Sequence, residues 1–142
     1  MPTINPYLHF NGNAEAAFNF YRSVFGGEFK MMSRFKDAPS QTQLHAGEAE
    51  KILHVSLPIG NGNLLMGSDV PQAFGEVTFG TNFNISISTF DEPETDRVFA
   101  ALSDGGTLNM PLEKTFWGAY FGMCKDKFGV QWMVSYESNQ PG

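Results

Sequence analysis

The side chains best suited to chemistry near neutral pH are three histidines and one cysteine. His9 lies in "NPYLHFNG", His54 in "KILHVSLPI" and His45 in the polar stretch "KDAPSQTQLHAGEAEK". Alternation along a strand sends neighbouring side chains to opposite faces. Leu53, Val55, Leu57 and Ile59 then share one face, with His54 and Ser56 on the other. Tyr7 and His9 likewise stand opposite Leu8 and Phe10. Both imidazoles are therefore expected on the side of their strands away from the apolar packing. Such a pair could hold a divalent metal with the help of carboxylates. It could equally line a cavity wall as hydrogen-bonding or proton-transferring groups. His45, in a loop, is expected in solvent. Cys124, in "FGMCKDKFG", falls on a predicted strand. A lone cysteine there is ordinarily a small packing residue, although Lys125 and Lys127 nearby could lower its pKa. The densest aromatic run is "TFWGAYFG", with Phe116, Trp117, Tyr120 and Phe121. It suits a pocket wall, a subunit contact or core packing.

Several other chemistries lack their signatures. "GNGNLLMG" has the wrong spacing for a nucleotide-binding glycine loop, and a hairpin turn accounts for Gly60 and Gly62. No glycine-rich strand-to-helix turn suited to a methyltransferase cofactor is present, and no G-x-S-x-G elbow marks a serine hydrolase. Nine Lys and Arg against 15 Asp and Glu give a net charge of -6, which does not suit a nucleic-acid partner. The single cysteine allows neither an internal disulfide nor a Cys-rich zinc site. No apolar run has membrane-spanning length, and "MPTINPYLHF" lacks a signal-peptide layout, so the expected compartment is the cytoplasm. The 142 residues, 42% of them hydrophobic, suit one domain with a core of its own.

The elements that position these residues come in a pattern stated twice. The first strand leads into "NAEAAFNFYRSVFGG", where Asn13 is a reasonable helix N-cap and Ala17, Phe20, Tyr21 and Val24 form one apolar face. Gly26-Gly27 stops that helix, and "EFKMMSRF" follows as a strand. Later, the alternating "NISIS" leads to a helix capped by Asp91 and Glu94, with Pro93 in its first turn. Val98, Ala101 and Leu102 make its apolar stripe, and Gly105-Gly106 ends it. The caps stand 78 positions apart (13 to 91) and the double glycines 79 (26 to 105). Each half then closes in a hairpin, one turning at Asn61-Gly62 and the other at Asp126 to Gly129. The expected architecture is α+β, with two βαβββ modules whose cupped mixed sheets surround a cleft. Module one spans about 4–69, a linker 70–80, and module two about 81–137. The extra length of the first half falls in residues 36–51, a solvated loop or a lid over a pocket.

The segments "NPYLHFNGNAEAAFNFYRSVFGGEF" and "EKTFWGAYFGMCKDKFGVQWMVS" carry a resemblance that runs over almost the whole chain. The sequence resembles the vicinal oxygen chelate superfamily, which includes glyoxalase I, bleomycin and fosfomycin resistance proteins and extradiol dioxygenases. More narrowly it is similar to the PhnB-like branch, some of whose members are described as demethylubiquinone methyltransferases. The resemblance implies paired modules around a cleft and a homodimer, with the modules pairing within a chain or by swapping between chains. Metal enzymes of the superfamily use four strand positions, which correspond here to Tyr7, Met66, Asn84 and Met133. Tyrosine is an occasional ligand, asparagine a weak one, and methionine too soft for the usual divalent ions. The expectation is therefore a small-molecule ligand, partly aromatic or apolar, bound without a metal or other cofactor. Its site would be lined by Tyr7, His9, His54, Asn84, Trp117, Tyr120 and Met133. Two alternatives stay open. One is a glyoxalase-type lyase, isomerase or dioxygenase-like enzyme, with His9 and His54 as acid and base or as part of an unusual metal set including Glu28 or Glu113. The other is a dimeric structural module with a filled cleft.

Overall fold

In the computed structural model, residues 2–38, 47–60 and 62–137 are described. The chain divides into two compact units, Met1–Thr78 and Phe79–Gly142. The first contains β1 (Tyr7–Phe10), α1 (Ala14–Phe25), β2 (Met31–Arg34), β3 (Ile52–Ile59) and β4 (Asn63–Asp69). Its sheet runs β1-β4-β3-β2, with β1 and β4 parallel and the other pairs antiparallel. The second contains β5 (Ile85–Ser88), α2 (Glu92–Ser103), β6 (Thr107–Lys114), β7 (Ala119–Lys125) and β8 (Gln131–Glu137). Its order, β5-β8-β7-β6, repeats the same wiring with β5 and β8 parallel. Both units are thus βαβββ, each with a mixed four-stranded sheet, and the class is α+β as the sequence pattern implies. The central part of the 36–51 loop, including His45, and Asn61 of the first hairpin turn lie outside the described residues. Gly60 and Gly62 on either side of that turn both have positive φ, 64° and 82°, which glycine adopts without steric cost.

Each helix lies on one face of its sheet and buries a stripe against it. In α1 the buried residues are Ala14, Ala17, Phe18, Tyr21 and Val24. Phe18 therefore belongs to the packed face, and Phe20, expected there from spacing, is only half-buried at its edge. In α2 the stripe is Thr95, Val98, Phe99 and Leu102, with Ala101 half-buried. Burying each large apolar side chain contributes about 1.5–3 kcal/mol relative to exposure, so these stripes hold the helices more strongly than helix propensity does.

The two helix starts are capped differently. Asp91 Oδ1 accepts from the Glu94 N–H at 2.8 Å, and Glu94 Oε1 reaches back to the Phe90 N–H at 2.9 Å. This is the expected reciprocal arrangement, with its return bond made one residue before the cap. Asn13 makes no side-chain capping bond. Asp69, at the end of β4, accepts from the N–H groups of Gly12 and Ala14 with Oδ1, both at 2.9 Å. A carboxylate 55 residues away in sequence has replaced the local cap, which spacing rules cannot see.

In each unit an aromatic ring of the helix sits over a glycine in the sheet. A Cβ at Gly67 of β4 would lie 2.7 Å from Phe18 Cε1 and 2.7 Å from the Leu8 carbonyl oxygen. A Cβ at Gly122 of β7 would lie 2.9 Å from Phe99 Cε1. The missing side chains let the rings reach the sheet. Gly67→Ala is expected to lower unfolding stability by about 1–3 kcal/mol through overpacking, read as a lower midpoint in urea at unchanged slope.

Candidate functional site

The face of the first sheet opposite α1 carries the polar groups. Leu8 and Phe10 are buried against the helix, so Tyr7 and His9 of β1 point the other way and are exposed. Parallel pairing sets Tyr7 beside Met66 and His9 beside Ser68 on β4. Antiparallel pairing sets Ser56 of β3 beside Met66 and Met31 of β2 beside Ser56, with Ser33 beside His54. Two rows cross the sheet as a result. One holds Tyr7, Met66, Ser56 and Met31, and the other holds His9, Ser68, His54 and Ser33.

Tyr7 joins the two rows. Its hydroxyl hydrogen-bonds with Nδ1 of His54 at 3.1 Å, reaching across β4 to a strand two places away. Its ring centroid lies 5.2 Å from that of His9 and 5.6 Å from that of His54. His9 Nδ1 faces Ser68 Oγ at 3.4 Å. The structure thus brings Tyr7, His9 and His54 together around one ring. Where a hydroxyl donates to Nδ1, the proton of the neutral imidazole sits on Nε2, which leaves an N–H for an acceptor outside the cluster. Ser68 itself is buried, and Met31 and Met66 complete the surface. Met31 lies on a four-residue edge strand, too short for period-two alternation to mark its face in the sequence.

The other predicted residues belong to the second unit. Met133 of β8 pairs with Ser86 of β5 and Met123 of β7, on the face opposite α2. Ser86 stands to Met133 as Tyr7 stands to Met66, two residues after Asn84, a position the 79-residue offset between the glycine pairs could have indicated. Asn84, just before β5, has its Oδ1 shielded from solvent with no hydrogen-bond partner. Trp117 is 59% exposed on the turn between β6 and β7, edge-on to Phe116 at 5.0 Å and 6.4 Å from Phe121. Tyr120 points the opposite way from Phe121. It shares the α2-facing side with Gly122 and donates to Asp96 of α2 at 2.5 Å, a bond that pushes its phenol above the usual tyrosine range.

Over residues 2–135 the chain matches the model of the family described as 3-demethylubiquinone-9 3-methyltransferase. It belongs to that family. Protein PA1353 of Pseudomonas aeruginosa is 40% identical, with a TM-score of 0.83 over 96% of this chain and 98% of that one. The PhnB protein of Bacillus cereus, described as a 3-demethylubiquinone-9 3-methyltransferase, is 30% identical with a TM-score of 0.75, covering 95% and 99% of the two chains. An enzyme of the glyoxalase/bleomycin resistance protein/dioxygenase family from Burkholderia phytofirmans shares the fold at 16% identity, with a TM-score of 0.58 over 92% and 95%. The chain is a PhnB-like protein with the vicinal oxygen chelate fold.

The superfamily's metal does not fit the donors of this PhnB-like chain. Pairing within each unit aligns Tyr7 with Met66 and Ser86 with Met133, a phenol and an alcohol beside two thioethers. Those groups are poor ligands for Zn²⁺, Mn²⁺ or Fe²⁺. Nδ1 of His9 and of His54 each face a hydroxyl. Among the described residues no three of His, Cys, Asp and Glu come together as a metal-holding group.

Cys124 is buried on β7, paired with Trp132. Burial, and secondarily the Asp126 carboxylate, push its thiol up to about 11. Neighbouring Lys125 and Lys127 do not offset this, so the thiol is a packing group. Iodoacetamide at pH 8 is expected to leave Cys124 unmodified in the folded protein and to alkylate it fully in guanidinium, as read by intact mass.

Proposed function

We propose that this PhnB-like protein binds a small molecule on the open face of its first sheet, without a metal. The observation that carries this reading is the Tyr7 ring set between two imidazoles and bonded to one of them. An aromatic face with two adjacent imidazole donors suits a molecule with a flat or apolar body and an acceptor oxygen. Met31 and Met66 beside them provide a soft apolar surface that adapts to shape. Asn84, Trp117 and Met133 supply comparable apolar and polar groups in the second unit, and the unpartnered Oδ1 of Asn84 is an acceptor available to a donor.

The Tyr7–His54 bond also favours a second reading, in which the pair transfers a proton at a bound substrate. Histidine is suited to this near neutral pH, and the phenol would orient the ring. The methyltransferase description of the family and of the Bacillus cereus protein is a third reading, for which a cofactor-binding glycine turn is missing.

These readings separate in one set of titrations. Flat aromatic carbonyl compounds, with 4-hydroxybenzoate and a water-soluble benzoquinone among them, are screened by NMR beside S-adenosylmethionine, and metal content is taken by elemental mass spectrometry. Binding is expected for a carbonyl compound and to weaken about tenfold in His54→Ala and in Tyr7→Phe, the loss of one hydrogen bond of about 1.4 kcal/mol. His9→Ala is expected to fold normally, because the side chain is exposed. One divalent ion per chain, lost in His9→Ala and His54→Ala, would overturn the metal-free reading. Methyl transfer from S-adenosylmethionine would replace it with the third. Turnover of a bound compound that stops in His54→Ala would promote the second.

A homodimer belongs to the same proposal. β6 is an edge strand on which Leu108 is 57% and Met110 47% exposed, and edges of this kind are ordinarily covered. Light scattering is expected to give twice the chain mass of 15.7 kDa, and Met110→Lys to shift it toward the monomer.

A further inference from the structure

The open face of the second sheet carries a row of sulfur. Three of the chain's seven methionines stand there side by side. Antiparallel pairing sets Met110 of β6 beside Met123 of β7, and Met123 beside Met133 of β8. The row looks away from α2. On β7, Gly122 lies under Phe99 and Cys124 is buried, so Met123 between them points the other way. Met123 and Met133 are half-buried and Met110 is 47% exposed, which leaves all three side chains open to solvent. Residues paired across antiparallel strands have Cα atoms only about 4.5–5.5 Å apart. A methionine sulfur stands two carbons beyond its Cα on rotatable bonds, so sulfurs from the two outer strands can lean to a point above Met123. β-branched and aromatic residues are the ordinary occupants of half-exposed strand positions, and strand preference does not account for three thioethers in a row.

We propose that Met110, Met123 and Met133 together bind one soft monovalent metal ion, copper(I) or silver(I), through their three sulfurs. Softness gives the ion. Thioethers are neutral, polarisable donors that suit copper(I) and are poor ligands for zinc, manganese or magnesium. Charge gives the valence. The paired residues of the two neighbouring rows hold one carboxylate, Glu113 beside Phe121, and one ammonium, Lys125 beside Gln131. They offset each other and leave no surplus carboxylate to balance a divalent ion. Cys124, the chain's one thiol, is buried on the opposite face of β7 and takes no part. Of the four positions at which the superfamily's metal enzymes carry ligands, only Met133 belongs to this set, and all three donors come from one unit.

The test is an NMR titration of the full chain, labelled with ¹³C at its methionine methyl groups. Silver(I) is added in chloride-free buffer, and copper(I) in a parallel anaerobic series. One equivalent of either ion is expected to move the methyl signals of Met110, Met123 and Met133 and to leave those of Met31, Met32 and Met66 in place. Zinc is expected to move none of them. Met123→Leu and Met133→Leu keep the apolar bulk and are expected to fold as the parent chain does. Each is expected to weaken silver binding by at least about tenfold, the scale on which even the outer partners of a metal site act. Equal movement at Met31 and Met66, or silver uptake on Cys124 with the Met123 signal unmoved, would overturn the proposal. So would an unchanged silver affinity in both leucine variants.

Discussion

The carboxylate of Asp69 ties together three chain segments of the first unit. Oδ1 takes the N–H groups of Gly12 and Ala14, and Oδ2 takes the N–H of Ile52 at 2.9 Å. These are the turn after β1, the first residue of α1 and the first residue of β3. One buried charge thereby fixes where the helix begins and where the long loop re-enters the sheet. The favourable alignment of a carboxylate with a helix N-terminus adds to the bond energies. The Tyr7 cluster depends on this bracket. Tyr7 and His9 precede the Gly12 turn, and His54 follows Ile52 by two residues. A slip of either strand by one residue would turn an imidazole into the helix-packed face.

The second unit meets the same demand with another carboxylate in another place. Asp126, buried in the β7–β8 turn, accepts from the N–H groups of Phe128 and Val130 with Oδ1 and from the Trp132 indole with Oδ2. It organises a hairpin instead of a helix start, because α2 already has its own cap in Asp91 and Glu94. Both units share the device of an aromatic ring seated over a sheet glycine, Phe18 over Gly67 and Phe99 over Gly122. Wiring is repeated, while the polar anchors are placed separately according to what each local sequence lacks.

On the open face of the first sheet, chemistry and packing make opposite demands on neighbouring residues. Leu8 and Phe10 go into the core, and Tyr7 and His9 between and before them are left for solvent or a ligand. The tyrosine stem spans β4 to reach His54, which orients both rings without removing them from the surface. The proposed site is rigid where it is built on strands and adaptable where methionines border it.

The repeated βαβββ order, the two helices, their glycine stops, the hairpins and the outward direction of His9 and His54 were all legible in the sequence. They follow from period and local turn chemistry, which act over a few residues. The sequence also bounded the chemistry: one cysteine, a net charge of -6, and soft or weak groups at the positions where the resemblance implies metal ligands. Tertiary structure alone decided the rest, because it depends on register between strands distant in the chain. The cap of α1 comes from Asp69, not Asn13. Phe18, not Phe20, fills the space over Gly67. Tyr120 turns to Asp96 on α2 while its neighbour Phe121 takes the other face of its strand. Alternation predicts that two side chains of a strand lie on opposite faces, but only the pairing partners say which face is covered. The meeting of Tyr7 with His54, 47 positions apart, is of the same kind: each residue's direction was local information, and their contact was not.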